Sequence, residues 1–457
     1  MHPSLRHTYY YSQSGGASVI ASNFKKRVEA DGGTFEAVEC LKDVIESLGD
    51  FYDQASFILT PNGYKAQKLY ALKGEDLTFA RNGTRYRRDE DSLELVAIDV
   101  PAIDYTDVEC PYLSLQPVRT NLLLWSEVAT NTAWQNINTT DQENTTTAPN
   151  GTNTADSIFE TTANAAHIQY QTVTKAAQAK TYTLSRFMKS NGRDWVMLSA
   201  NDGTANGVSV WFNLATGEVG QSGVTGYTLI RSRISDAGDG WYRCSITFTT
   251  LTETTLFCAF YSATGDGITT FSGDATKGFY AWGAQLEEGR YLTSYIPTTS
   301  ATVSRIADYV NPLTDATSLI GQTEGTLYWE GFSFADSTSK NLLCLSDGTL
   351  DNRIQIHLTS TNVVQGVVSN GGVTQAQISS AGFNSYDPYK VAMTYQNNKV
   401  ALFVNGDKIG EDLTATIPGC SRLAFDPDGS LPFYGNGRCW AVSKQALSDS
   451  DAITLTT

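Results

Sequence analysis

The sequence predicts a mainly β protein, with tandem antiparallel β-sandwiches (jelly-roll-like, then concanavalin/laminin-G-like) after a short helical N-terminal segment. Three observations carry the β class. The 457 residues include 55 Thr, 38 Gly and 23 Tyr, types that suit pleated, half-buried surfaces and the turns between them. Charged residues make up only 18% and hydrophobic residues 41%, which excludes a disordered chain and a coiled coil. From about residue 165 short apolar runs recur, separated by Gly-containing turns, the pattern of a sandwich or jelly roll. At about 100–200 residues per domain, the length suits about three domains.

Residues 1–54 stand apart. Phe35, Val38, Leu41, Val44, Ile45 and Leu48 recur on one helical face. Thr34 is placed to cap that helix and Gly49 to stop it. So short a helix is marginal alone in water, so its stripe needs a partner. Either it packs on its own chain, or Val38, Leu41, Ile45 and Leu48 anchor it in an oligomer or larger assembly.

Residues 55–120 read as a β-rich connector. Its basic run Arg81–Arg88 is followed at once by Asp89, Glu90 and Asp91, so a solvated hairpin with local ion pairs is expected. Residues 121–305 form the first sandwich, with strands at 181–187, 195–198, 208–212, 241–246, 256–261 and 278–282. Alternation sends the rings of Trp241 and Trp282 towards a core. Residues 300–318 read as a linker and 319–457 as the second sandwich. Its clearest unit is Tyr389–Tyr395, an Asn397-Asn398 turn, Lys399–Val404 and an Asn405-Gly406 turn, an antiparallel meander.

The net charge of −16 argues against nucleic acid and against an anionic membrane surface. No apolar run approaches the roughly 20 residues that span a bilayer, and the first residues lack a signal-peptide pattern. Seven widely spaced Cys, an odd number without C-x-x-C, predict buried free thiols in a chain made in a reducing cytosol.

The search for chemistry returns little. The four His are His2, His7, His167 and His357, and no zinc, phosphate-loop or nucleophile-elbow motif accompanies them. Glu287 and Glu288 are adjacent, so a strand points them to opposite faces, unsuited to flanking one glycosidic bond. No enzyme and no cofactor are expected. Calcium stays open at two acidic turns, Asp426-Pro-Asp428-Gly429 and Asp347–Asp351, although neither continues to the Glu of an EF-hand loop.

Two resemblances add to this reading. The stretch from about 55 to 310 resembles head-spike or tail-fibre domains of bacteriophage structural proteins. The matching phrases are Thr60-Pro-Asn-Gly63, Val100-Pro-Ala-Ile-Asp-Tyr105, Leu113–Glu127, Ala148-Pro-Asn-Gly151, Asp236–Arg243, Ala281–Gly289 and Thr293–Thr299. Residues 320–457 are similar to laminin-G-like, concanavalin-type sandwiches, through Val391–Asn405 and the late Leu447-Ser-Asp-Ser-Asp451. The resemblance implies a non-enzymatic virion fibre or spike, made in the bacterial host cytoplasm and displayed on the particle surface. Its partners would be other virion proteins, two further copies of itself in a homotrimer, and host-surface glycans, with no nucleic acid and no membrane insertion. Arg353, Tyr386, Tyr434 and Arg438, in or near turn-rich stretches of the last domain, are the candidate glycan contacts, and Trp241 and Trp282 are alternative stacking platforms. A purely structural decoration fibre is the alternative. A polysaccharide depolymerase is the third reading, but the E-x-D-x-E strand of concanavalin-type glycosidases is absent.

Overall fold

The computed structural model describes residues 14–35, 38–61, 64–66, 68–89, 92–105, 110–334, 338–382 and 387–457. It is mostly antiparallel β-sheet, arranged as two sandwiches.

The first sandwich stacks two six-stranded sheets. One runs in the order Gln135–Ile137, Ile168–Thr174, Thr255–Ala263, Trp195–Asn201, Gly207–Asn213, Glu218–Thr225. The other runs Thr139–Thr146, Ala155–Glu160, Gly278–Glu288, Thr181–Asn191, Trp241–Thr249, Thr228–Asp236. Alternate residues of both sheets, among them Leu184, Leu198, Phe212, Ile246 and Phe260, fill the space between them. Trp241 and Trp282 are fully buried in an adjoining aromatic cluster with Phe187 and Tyr295. Their indole N–H groups donate to Thr147 O at 3.0 Å and Thr154 Oγ1 at 3.2 Å. Both rings are core, and the stacking-platform alternative for them falls away.

The second sandwich stacks a nine-stranded sheet on a five-stranded one. Its core holds Trp329, Trp440, Leu345, Ile356, Met393 and Leu402. The nine-stranded sheet is apolar on both faces. On Lys399–Val404, Val400 and Leu402 enter this core, while Ala401 and Phe403 face a helical layer. Small Ala392, Ala401 and Ala441 on that face let helices approach closely. The helices are Val38–Leu48, Asp50–Gln54 and Asp449–Thr456, the last capped by Ser448. The meander turns are as expected: Asn398 takes φ 62°, and Asn405 and Gly406 take φ 49° and 84°, the left-handed pair of a two-residue hairpin.

Of the two partners weighed for the N-terminal stripe, the structure supplies the chain itself. Leu41 and Ile45, with Val38 at the margin, pack against the helix Ser14–Ala30 and Tyr64 and Tyr70. Leu48 and Val44 pack against Tyr328 and Leu447 of the second sandwich. Fully burying such side chains stabilises by roughly 1.5–3 kcal/mol each.

The connector region contributes strands to the nine-stranded sheet. Gly435–Ser443 pairs along one edge with Glu324–Ser333. Its other edge is shared between Ala55–Leu59 and Tyr112–Leu115. The first sandwich is therefore inserted between strands of the second.

Two expectations are corrected. Cys40 and Cys110 form a disulfide with Cα atoms 5.5 Å apart, because Val38–Leu48 and the segment leading into Tyr112–Leu115 meet in space. The other five Cys are free and buried, as read. The basic run is also not a solvated hairpin. Arg81 and Arg85 are fully buried and both grip Asp308, which is more than two hundred residues away in the presumed linker. Arg81 donates to Asp308 Oδ1 at 3.2 Å, and the Gln116 N–H donates to Oδ2 at 2.8 Å. Arg85 also binds Ser114 O at 2.7 Å and Ser294 Oγ at 2.9 Å. Among the described residues Arg87 pairs locally, with Glu94 at 2.6 Å and Asp89 at 3.8 Å.

One half-buried histidine, His357, carries a pH signature. Burial, then the neighbouring Arg353 charge, holds His357 down at about 4 against an ordinary 6.5. The unfolded chain takes up this proton first, so stability is intact above pH 6.5 and falls as pH drops from there towards 4. The loss approaches ~3 kcal/mol. Denaturant titrations at pH 7 and pH 4.5 should show His357→Gln losing less stability than the parent; equal losses would contradict it.

Candidate functional site

Aromatic side chains gather on the outer face of the first six-stranded sheet, above a floor in which Met197, Ser199 and Ala259 are buried. Val196, Leu198, Val210, Phe212, Cys258 and Phe260 point inwards. Strict alternation then turns Trp195, Met197, Trp211, Phe257 and Tyr261 outwards, so this sheet is aromatic on both faces.

The registers arrange the outward side chains in rows. Tyr261 pairs with Ile168 and Met197, and Met197 pairs with Trp211. The next row has Tyr170 opposite Ala259, then Ser199, Ser209 and Gly223. The third row places Thr172 opposite Phe257 and Phe257 opposite Asn201. Rows on one face are about 7 Å apart. A lane floored by Ala259, Ser199 and Ser209 thus runs between Tyr261 and Trp211 on one side and Phe257 on the other, closed at one end by Tyr170. The floor is polar, with Ser209 Oγ donating to Ser199 Oγ at 3.1 Å.

The rings are held in place. Tyr170 and Phe257 lie 5.8 Å apart at 37°. Gly203, at φ +77°, presses its turn against Phe257; a Cβ there would sit 2.5 Å from the ring. Gly220 lies so close to Trp195 that a Cβ would come within 2.7 Å of it. The Trp211 Nε1–H is shielded from solvent and meets no acceptor, and the same holds for that of Trp329 in the second core. Burial pushes the Tyr261 phenol up, keeping it a neutral donor.

Asp266 and Trp195 both crowd Gly220 at the edge of this face, and the Asp266 carboxylate accepts from Gln221 N at 2.8 Å. At its rim, burial raises Asp202, but hydrogen bonds from Asn206 and Thr204 outweigh it and hold the carboxyl at about 2. Glu287 is buried and accepts from Thr293 N at 2.8 Å, whereas Glu288 is exposed and paired with Lys180. The opposite-faces reading of these two is correct.

The other sequence candidates are scattered. Arg353 starts a strand of the five-stranded sheet and donates to Leu350 O. Tyr434 packs against the second core, and Arg438, on the nine-stranded sheet, pairs with Glu330 at 3.2 Å. Tyr386 lies outside the described residues. Arg353 and Arg438 therefore sit on different sheets. The acidic turns satisfy themselves: Asp426 is buried against Arg422 at 2.7 Å, and Asp347 accepts from Thr349 and Asn352. Among the described residues no group of three metal-ligating side chains occurs, and no described helix is long and apolar enough to cross a membrane.

Sequence reading missed the aromatic lane, although its signal was present. Leu256-Phe-Cys-Ala-Phe-Tyr261 and Val208-Ser-Val-Trp-Phe212 put rings at consecutive positions, which a strand with one wet face does not need.

No family model matches the chain, and no curated protein matches it. Partial likenesses to solved structures exist. The carbohydrate-binding module of an intramolecular trans-sialidase from Ruminococcus gnavus is 19% identical, covering 31% of this chain and 86% of that one at a TM-score of 0.27. Domain 4 of an extracellular arabinanase from Geobacillus stearothermophilus, in complex with arabinotriose, is 11% identical over 36% of this chain and 82% of that one, with a TM-score of 0.26. Mouse laminin α1 domains LG4-5 are 12% identical over 63% of this chain and 88% of that one, with a TM-score of 0.22.

Proposed function

We propose that the protein is a non-enzymatic adhesin that holds glycans on the outer face of its first sandwich. The observation that carries this is the lane of Tyr170, Phe257, Tyr261 and Trp211 around a serine floor. A sugar has an apolar C–H face and a rim of hydroxyls. Aromatic rings match the first, and the half-buried Ser209 hydroxyl matches the second. The sequence phrases of phage fibres support placing the adhesin on a virion surface, where many copies would multiply weak single sites. Trimeric assembly belongs to the same proposal and draws only on that resemblance.

The test is a glycan array probed with the full chain, followed by titration of a retained glycan. Trp211→Ala should weaken binding about tenfold, a loss of about 1.4 kcal/mol, with the thermal midpoint preserved. Equal binding by this variant would remove the lane from the function. Reducing ends released from a retained polysaccharide would replace the adhesin with a depolymerase.

A further inference from the structure

A second cleft, of about 110 Å³, lies where the paired strands Arg85–Asp89 and Ser92–Val96, the first sandwich and the second sandwich meet. Four arginines line it, Arg87, Arg88, Arg233 and Arg243, against two carboxylates, Asp104 and Asp236. A cationic excess is notable on a chain of net charge −16.

The arginines are not equivalent. Arg87 is neutralised by Glu94, and Arg233 has Asp104 nearby. Arg243 lies within reach of the Glu287 and Asp104 charges but hydrogen-bonds neither: it donates to Thr293 O at 2.8 Å and Ser185 Oγ at 3.2 Å, and its Nε–H meets no acceptor. Arg88 Nη1 is likewise shielded and without an acceptor. A shielded guanidinium N–H left without an acceptor is costly, and a carboxylate is the group whose geometry answers it. The remaining wall is aromatic, from Tyr86, Phe332 and Phe334.

We propose that this junction cleft is a binding site for a carboxylate-bearing sugar, its acid on Arg88 and Arg243 and its ring against Phe332 and Phe334. It is a separate site from the aromatic lane. The sugar as carrier rests on the adhesin reading, while the oxyanion rests on the two arginines alone.

The experiment is calorimetric titration of the full chain with sodium glucuronate, glucose and inorganic phosphate. Glucuronate should bind saturably and weaken as salt rises. Arg88→Gln should weaken it at least tenfold, while keeping the thermal midpoint and all binding of neutral glycans. Arg243→Gln should do the same to glucuronate, with some loss of stability because its two bonds go. Unchanged glucuronate binding in Arg88→Gln overturns the site. Glucose or phosphate binding as tightly as glucuronate also overturns it, since the acid and the ring are then not read together. Loss of the aromatic lane's function would leave these outcomes unaffected.

Discussion

Replacing Asp308 by Asn should cost about 3–5 kcal/mol of folding stability. Its carboxylate is the shared counter-ion of two fully buried arginines, Arg81 and Arg85. Burial already pulls the Arg81 guanidinium below its ordinary value, with the Asp308 charge opposing that pull. With the carboxylate gone, two cations remain in a dry seam with only neutral acceptors, such as Ala97 O and Ser114 O. Breaking a buried pair from one side costs that much because the other charge stays uncompensated. Urea unfolding followed by tryptophan fluorescence would show the midpoint falling at unchanged slope. A loss below ~1 kcal/mol would mean that water or neighbouring dipoles carry the charges. Added salt should not mimic the substitution, since the site is out of reach of screening ions.

The second large effect is expected at the Cys40–Cys110 disulfide. The crosslink closes a loop across a sequence separation of 70. By loop-closure entropy its removal costs about 4 kcal/mol, and native relaxation brings the measured loss to about 2–4. Cys40→Ser paired with Cys110→Ser should unfold at lower denaturant than the parent. The parent equilibrated in reductant should match the double variant. If reductant leaves the parent unchanged, the two thiols are not bonded in solution. The five other Cys contribute nothing to this difference. For Cys244 and Cys258, burial pushes the thiol far up, away from the reactive thiolate.

What was legible in the chain follows from the range of the forces involved. Strands, turns and the helix at 38–48 are local products of alternation, left-handed Asn and Gly, and 3.6-residue spacing; the helix begins at Val38 rather than at the Thr34 cap, because Thr34 and Phe35 pair as a strand with Lys65 and Tyr64. The disulfide and the Arg81–Asp308–Arg85 cluster join residues far apart in sequence. Nothing near Arg81 says that Asp308 will arrive beside it, so the acids at 89–91 looked like its natural partners. The aromatic lane falls between these cases. Its rings were visible, but their gathering on one face depends on the registers of four strands that are not consecutive in the chain. Arg353 and Arg438 lie on different sheets, the first at the start of a strand and the second inside one, a placement that no local pattern announces.

The pairing of Ala55–Leu59 with Gly435–Ser443 has a consequence for how the protein is made. Synthesis runs from the N-terminus, so the first of these strands leaves the ribosome with its partner still unwritten. The inserted sandwich has every strand it needs once Gly278–Glu288 has emerged, and can close at once. The early helices meanwhile keep Val44, Leu48 and Phe51 without the sheet that later covers them. A nascent chain stalled before Gly435 is then half finished in a defined way, with one native lobe and one sticky end. Slower synthesis through the last strands should therefore lengthen the life of that half-finished state.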